Sequence, residues 1–405
     1  MSGSGRGLLS IVSGNSPGVR GQVVDLLRRF RPDAAVLAVS IGTGDGQYPT
    51  VQRFTTAPGA QNAGQGRSGT GDPAVILRQD LDALVRRPGC PAVILALPFE
   101  LDLLPFLADL WHAPIGTTAL ARHYELAPVT IGLDPELLLS DLRCTHRLSA
   151  APGAPGDGLP VTVGEAAARQ VEAAQTVLLA RADDAEPELP AAARAVASHL
   201  NPSATVLFLP RRPDRAVERA GSALLAPVPP QAVAERLARV RETVSTPAWQ
   251  PRESHGVRSV YWRARRPLHP QRLARAMPGL MRAVTRSRGH VWLASRPDTV
   301  VTWRSAGHRL ELAGVDQWLP EPDAGGWPAA SPERRMLATW HWDPYYGERR
   351  NEIVLIGAGL DEERLRGLLD GALLTDEELA LGPTSWHELP DPILGAPEQG
   401  GRRES

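Results

Sequence analysis

The sequence predicts an α/β protein, in which a domain with a mostly parallel sheet is followed by a smaller α+β domain. In the first half, apolar runs rich in β-branched residues alternate with helical patterns, as in a parallel sheet covered on both faces. After residue 255, the runs show the two-residue alternation and glycine turns of antiparallel strands. With 405 residues, the chain is long enough for two such domains with sizeable cores.

Strands and helices alternate along the first half of the chain. The predicted strands lie at 8–14, 34–42, 91–98, 127–134, 175–183 and 204–210. The predicted helices lie at 21–30, 74–87, 101–111, 135–142 and 164–174, with one more between the last two strands. The glycine-rich segment 56–72 is predicted to be a mobile loop, or alternatively a loop that binds a partner. Ligands of such sheets bind at the carboxyl ends of the strands.

The second half is predicted to contain strands at 256–264, within 289–314 and at 351–357, with helices at 269–284 and 361–375. Residues 211–231 have the composition of an exposed connector. We therefore divide the chain into a first domain at 1–215, a connector at 216–255, a second domain at 256–395 and a flexible tail at 396–405.

Composition restricts the function. The formal charge is −1, which argues against binding of the whole chain to nucleic acid or to an anionic membrane. All 44 basic residues are arginine, so no phosphate site in this protein depends on lysine. Two cysteines in unlike contexts indicate neither a disulfide framework nor a Cys-x-x-Cys site. With no signal peptide and no stretch long enough to span a membrane, we expect a cytoplasmic protein.

Residues 8–30 have the layout of a phosphate-binding loop, with a strand, a glycine-rich turn and a helix. Aligning Gly14 with the first glycine of G-x-x-x-x-G-K-[ST] puts Val19 at the second glycine, Arg20 at the lysine and Gly21 at the Mg²⁺-binding hydroxyl. The candidate nucleotide-binding residues here are Gly14, Asn15, Ser16, Pro17, Gly18, Val19, Arg20, Gly21 and Gln22. The alternative is a glycine-rich turn without a ligand.

Four segments of the second half, at 263–273, 286–298, 342–357 and 372–392, together resemble the C-terminal domain of the CobW-like proteins. That family is a branch of the P-loop GTPases linked to metal insertion and zinc homeostasis. The resemblance implies a P-loop NTPase-like first domain and a CobW C-terminal α+β domain. The residues that carry the C-terminal motifs are Arg266, His269, Arg272, Gly289, Trp292, Asp343, Gly347, Arg349 and Arg350.

The first half departs from the motifs that the resemblance implies. The guanine motif Asn-Lys-x-Asp is replaced by residues 180–183, where Arg181 and Asp183 remain candidates. The region 62–81 lacks the Cys-x-Cys-Cys metal ligands, so we expect no zinc at a cysteine site. The acidic switch motif is also missing, with Glu100 and Asp134 out of register. Losing one preorganised donor costs about 10²–10³ in rate. We expect a pseudo-GTPase without catalytic residues, and any GTP to bind weakly.

The segment 258–288 contains nine arginines and no acidic residue. These are Arg258, Arg263, Arg265, Arg266, Arg272, Arg275, Arg282, Arg286 and Arg288. One interpretation is a surface that faces RNA or the ribosome, with Tyr261, Trp262 and Trp292 available for stacking. The other is that the arginines pair with the acidic residues of 343–378.

The ten histidines show no zinc-binding spacing, so we predict no defined metal site. His308, His341 and His387 are candidate neighbours of His269 and His290. If zinc does bind, His269, His290 and Asp343 are the residues to examine.

Two functions follow from these observations. In the first, the chain is an adaptor that binds a protein partner. This would fit the actinobacterial members of the family that recruit a ribosome-hibernation factor under zinc limitation. In the second, it is an active GTP-hydrolysing zinc metallochaperone. The missing loop residues and cysteines favour the adaptor, with no membrane or DNA partner.

Overall fold

A computed structural model describes residues 6–42, 48–56, 65–87, 90–112, 119–148, 161–180, 188–209, 221–239, 244–321 and 327–395. The chain divides into two compact units, residues 1–240 and 241–405.

The first unit is built on a nine-stranded sheet with the order β4-β3-β2-β5-β1-β7-β8-β9, and with β6 also paired to β1. The strands are β1 (Gly7–Gly14), β2 (Ala34–Gly42), β3 (Thr50–Thr56), β4 (Gln65–Thr70), β5 (Ala92–Ala96), β6 (Tyr124–Leu126), β7 (Thr130–Leu133), β8 (Thr176–Leu179) and β9 (Thr205–Phe208). All pairings are parallel except β2–β3 and β3–β4. The predicted mostly parallel sheet is confirmed.

Seven labelled helices accompany this sheet in the described residues. They are α1 (Pro17–Phe30), α2 (Pro73–Val85), α3 (Leu103–Trp111), α4 (Pro135–Asp141), α5 (Val163–Ala173), α6 (Glu188–Leu200) and α7 (Pro230–Arg239). Several begin where the sequence supplies a capping side chain, as at Asp72 before α2 and Thr162 before α5. All eight residues of β1 are buried, and Val23 and Leu27 of α1 join β1 in the core.

The prediction of a mobile loop at 56–72 is wrong for residues 65–70, which form β4 and pair with β3. Gly66 faces Phe54 in the register of the hairpin, and a Cβ at Gly66 would lie 3.1 Å from the Phe54 ring. Arg53 of β3 is also tied to Asp80 of α2 at 3.0 Å. Residues 57–64 lie outside the described residues.

The predicted exposed connector at 211–231 is exposed over most of 226–231 but not throughout residues 221–225. Residues 221–225 are helical, and Leu224 is 1% exposed within the core of the first unit. Val244 is buried in the second unit. The boundary between the two units follows Val240, inside the range predicted for the connector.

The second unit contains a five-stranded antiparallel sheet with the order β10-β14-β11-β12-β13. The strands are β10 (Val257–Ala264), β11 (Arg286–Val291), β12 (Thr299–Ala306), β13 (Arg309–Gln317) and β14 (Asn351–Ala358). The helices are α8 (Pro270–Leu280), α9 (Pro332–Trp340), α10 (Glu362–Asp370), α11 (Asp376–Ala380) and α12 (Gly382–Trp386). Helices α9, α11 and α12 were not predicted.

The core of the second unit forms where α8 and α10 pack with the sheet. Trp262 and Trp303 are its largest apolar side chains, and they lie with Leu280, Ile353 and Leu369 in one cluster. The α+β character predicted for this half is confirmed.

Candidate functional site

The turn between β1 and α1 contains only two residues, Asn15 and Ser16. The phosphate-loop pattern spans eight residues, because its backbone must wrap around the phosphates. In this chain the Ser16 hydroxyl accepts a hydrogen bond from the Val19 N–H at 3.2 Å and thereby caps α1. Pro17, the first residue of α1, has no N–H to offer. The segment has the form of a capped strand-to-helix turn.

Close packing accounts for Gly14. It lies opposite Gly132 of β7, and a Cβ at Gly14 would lie 2.6 Å from the Gly132 carbonyl oxygen. A Cβ at Gly132 would in turn lie 2.8 Å from methyl groups of Val19 and Val23. Gly18, in contrast, has no atom within 4 Å of the position of a Cβ. The one glycine that matches the phosphate-loop pattern is therefore required by strand and helix packing.

Asn15 joins the turn to the end of β7. Its side-chain oxygen accepts from the Asp134 N–H at 2.8 Å, and its side-chain nitrogen donates to the Asp134 carbonyl at 3.1 Å. The Asp134 carboxylate caps α4 by accepting from the N–H groups of Glu136 and Leu137. Both polar side chains at this point thus bind the protein's own backbone.

Arg20 occupies the position at which the loop pattern requires lysine. Its guanidinium donates to the Leu97 carbonyl at 3.0 Å, just beyond the carboxyl end of β5. Burial lowers the pKa of Arg20, and the opposing effect of Glu100 is smaller. The charged group is therefore directed to the protein backbone. Gly21 and Gln22, the next two candidates, are exposed on α1.

Of the remaining acidic candidates, Glu100 is exposed. Asp141, the last residue of α4, was not among the candidates, and burial together with the nearby Asp134 raises its pKa to about 6. Arg181 and Asp183, the candidates for guanine recognition, lie outside the described residues. Their role stays a prediction.

The first group of C-terminal motif residues holds the start of α8 to α11. Arg272 forms a two-bond ion pair with Glu378, with N–O distances of 2.7 and 2.6 Å. This contact holds the pKa of Glu378 at about 2. Arg266 pairs with Asp376, and His269 caps α8 by accepting from the Gln271 N–H.

Gly289 and Trp292 are placed by packing. Gly289 has a φ of +152°, and a Cβ there would lie 1.9 Å from the Glu352 carbonyl oxygen. The indole N–H of Trp292 donates to the Pro297 carbonyl at 3.0 Å, and the Arg349 guanidinium lies 5.9 Å from the Trp292 ring.

Asp343 and Gly347 close a tight turn. Their backbone groups exchange two hydrogen bonds of 2.8 Å, and Gly347 has a φ of +63°. The Asp343 carboxylate also accepts from the N–H groups of Tyr345 and Tyr346. Its hydrogen-bonding capacity is directed into the turn.

Arg350 belongs to a buried polar network. It donates to Glu352 at 3.1 Å, and Glu352 also accepts from the Tyr261 hydroxyl at 2.8 Å and the Thr246 hydroxyl at 3.0 Å. Burial would raise the pKa of Glu352, but Arg350 and His290 outweigh it, so the pKa is lowered. Sequence reasoning missed Glu352 as the centre of this network. The run "ERRNE" of charged residues next to an apolar strand was the available signal.

Of the candidate neighbours, His341 lies close enough to His290 for its charge to lower the His290 pKa. His290 is fully buried beside Trp318, and burial together with Arg350 lowers its pKa to about 3. Burial also lowers the pKa of His341 to about 4, and its ring nitrogen lies 3.1 Å from the Arg263 guanidinium. Across the described residues, no three His, Cys, Asp or Glu side chains are arranged to hold a metal ion.

Four of the nine arginines in the arginine-rich segment form ion pairs with acidic residues of 343–378. Arg258 approaches Glu362, Arg263 lies 3.5 Å from Glu352, Arg266 binds Asp376 and Arg272 binds Glu378. All four acids lie within 343–378, so the pairing interpretation is confirmed for these four arginines.

The proposed stacking role is wrong for Trp262 and Trp292, which are 1% and 3% exposed. Arg286 and Arg288 both belong to β11. Arg286 is buried and donates to the Ser305 carbonyl. Arg275 and Arg282 are exposed.

The match to a known protein family lies in the second unit. The model of the cobalamin synthesis protein cobW C-terminal domain matches residues 257–373. A Mycobacterium tuberculosis protein named zinc chaperone Rv0106 is 38% identical over 134 residues, which are 33% of this chain and 33% of that protein. Zinc-regulated GTPase metalloprotein activator 1 of Dictyostelium discoideum is 31% identical over 143 residues, 34% of this chain and 30% of that protein. The match thus spans about a third of these relatives.

Among solved structures, the Zn(II)-bound YjiA GTPase from E. coli aligns with 91% of this chain and 100% of its own, with a TM-score of 0.35 and 12% identity. In the described residues, no helix is long and apolar enough to cross a membrane. The antiparallel sheet of the second unit, its motif residues and the match over 257–373 together identify this unit as a CobW C-terminal domain.

Proposed function

We propose that this protein is a CobW-like adaptor with a non-hydrolysing GTPase-like unit, acting in zinc homeostasis in the cytoplasm. The observation that carries the proposal is the two-residue turn between β1 and α1, with Arg20 bound to the Leu97 carbonyl. A chain that lacks this machinery can still bind a partner through its surface.

Energetic considerations support this assignment. Phosphoryl transfer depends on lysine, Mg²⁺ and backbone N–H groups that neutralise charge on the phosphates. Each such donor is worth about 10²–10³ in rate. Here the lysine position is Arg20, the hydroxyl position is Gly21, and the Asn15 side chain binds the Asp134 backbone. Freeing Arg20 and Asn15 for a nucleotide would break three hydrogen bonds before any phosphate contact formed.

The zinc context of the proposal comes from the relatives, one named a zinc chaperone and another a zinc-regulated activator. Because the chain lacks Cys-x-Cys-Cys, we propose that the protein acts when zinc is limiting and that it does not deliver zinc. We propose that it recruits a ribosome-hibernation factor. Arg275 and Arg282 are the arginines of 258–288 that are best placed to contact ribosomal phosphates, since both are exposed.

Sedimentation with ribosomes tests this function. Purified protein is mixed with ribosomes at low salt, with and without a hibernation factor, and pelleted. We expect co-sedimentation that falls steeply with salt and that weakens in a variant carrying Arg275→Glu and Arg282→Glu. The matched control carries Arg28→Glu and Arg29→Glu, which adds the same charge at the end of α1.

Failure of the wild type to pellet with ribosomes at low salt, in both conditions, would remove the ribosomal target. Steady GTP turnover by the same sample would instead favour the alternative function, a GTP-hydrolysing zinc metallochaperone. One relative is named a zinc chaperone and another a zinc-regulated GTPase metalloprotein activator.

A further inference from the structure

Cys144 and His146 form a thiol–imidazole pair in the first unit. The Cys144 sulfur lies 3.2 Å from Nδ1 of His146, within hydrogen-bonding distance for sulfur. Cys144 is partly exposed and His146 is exposed, so a small molecule can reach the sulfur. A nucleophile within hydrogen-bond reach of a base is the arrangement that activates a thiol.

Backbone hydrogen bonds hold this pair in place. The Gly164 N–H donates to the Cys144 carbonyl at 3.1 Å, and the Val163 N–H donates to the His146 carbonyl at 3.0 Å. Both donors belong to the first turn of α5, an eleven-residue helix. The spacing of Cys144 and His146 is therefore set by the start of a regular helix rather than by side-chain contact alone.

Positively charged groups lie next to the pair along the chain. The amino end of α5 carries the positive end of the helix dipole. Arg143 and Arg147 flank the pair in sequence, and both are exposed. Thiols beside a helix amino end, arginine or histidine are the ones that react, because the thiolate is the nucleophile.

The second cysteine provides a contrast within the same unit. Cys90 is 7% exposed, and burial raises the pKa of its thiol. Its sulfur lies 3.6 Å from the Ala92 carbonyl oxygen. Cys90 therefore serves as an internal control for Cys144, because a buried thiol should react slowly.

We propose that Cys144, with His146 as its base, is a modification site for low-molecular-weight disulfides. The His146 Nδ1 takes the thiol proton, and the Cys144 sulfur attacks one sulfur of the disulfide R–S–S–R. The S–S bond of the reagent breaks as the bond between Cys144 and the attacked sulfur forms. The leaving R–S⁻ takes the proton from the imidazolium and departs as a thiol. The disulfide is the oxidant, and the proposal does not depend on the adaptor function.

The test is the reaction of the folded full-length chain with 5,5′-dithiobis(2-nitrobenzoate) at neutral pH, followed by its coloured thiol product. We expect one rapid equivalent, assigned to Cys144 by peptide mass, and a much slower second one. Cys144→Ser should remove the rapid phase, whereas Cys90→Ser should keep it. His146→Ala should slow the rapid phase at least about tenfold. The matched control is His308→Ala, which removes another exposed histidine and should leave the rate unchanged.

Two outcomes would overturn the proposal. One is equal reaction rates for Cys144 and Cys90 in the folded wild type, and the other is an unchanged rapid phase in His146→Ala. Unfolding of a variant would be visible in the same trace, because Cys90 would then also react rapidly.

Discussion

Arg350 and Glu352 form an ion pair inside the second unit, with an N–O distance of 3.1 Å and no exposure of either side chain. Arg350 also donates to the Val244 carbonyl at 2.7 Å, and Glu352 accepts from the Thr246 hydroxyl. The pair therefore attaches the first residues of the second unit to the start of β14. Trp249 continues this attachment by stacking on Tyr261, with ring centroids 5.6 Å apart.

Glu352→Gln should strongly destabilise the second unit. It removes the carboxylate that is paired with the buried Arg350 guanidinium, and breaking such a buried pair costs about 3–5 kcal/mol in the free energy of unfolding. Urea unfolding followed by tryptophan fluorescence measures this, because nine of the ten tryptophans lie after residue 240. The control is Glu253→Gln, which removes an exposed partner of Arg258 and should cost less than about 1 kcal/mol. Equal effects would refute the role of the buried pair.

His290→Gln should reduce the acid sensitivity of the second unit. The folded state holds His290 neutral with a pKa of about 3, whereas the unfolded chain takes up a proton near 6.5. The resulting stability is complete above 6.5 and is lost as the pH falls from 6.5 towards 3.

The slope contributed by one such group is at most about 1.4 kcal/mol per pH unit. The free energy of unfolding, measured at several pH values between 4 and 7, should therefore fall less steeply in His290→Gln than in wild type. His308→Gln changes an exposed histidine and should reproduce the wild-type slope. A wild-type slope in His290→Gln would show that another group, such as His341, dominates.

Two glycine substitutions distinguish packing from ligand binding at the turn. Gly132→Ala brings a Cβ within 2.8 Å of Val19 and Val23 and should destabilise the first unit by about 1–3 kcal/mol. Gly18→Ala places a methyl group in open space in the first turn of α1 and should be neutral or stabilising by up to about 1 kcal/mol. Thermal unfolding of both variants gives the comparison. Destabilisation by Gly18→Ala would contradict this expectation, because it would show that the fold requires glycine at position 18.

The alternation of apolar strands and helices sufficed to predict the parallel sheet of the first unit and the antiparallel sheet of the second. Such patterns report which faces are buried, and burial of this kind decides fold class. The hairpin of β3 and β4 escaped prediction because Gln65–Thr70 has almost no apolar residue, and its pairing depends on Phe54 lying against Gly66.

The roles of the candidate site residues were less predictable, because they depend on contacts between residues far apart in the chain. The sequence places Arg20 at the lysine position, but only the structure reveals its bond to the Leu97 carbonyl. Arg272 and Glu378 are separated by 106 residues, so a run of arginines looked like a phosphate-binding surface. Glu352, which organises the network of the second unit, was signalled only by the run "ERRNE" before an apolar strand.

Hydrolysis of GTP by the purified full-length chain in the presence of Mg²⁺ tests the central claim most directly. We expect phosphate release indistinguishable from a blank without protein, and no change in Arg20→Ala. A variant with Arg20→Lys and Gly21→Thr should bind GTP more tightly if the turn can open around a phosphate. Wild-type turnover near the lower end of typical enzymes, about 1 s⁻¹, with loss of that activity in Arg20→Ala, would contradict the account.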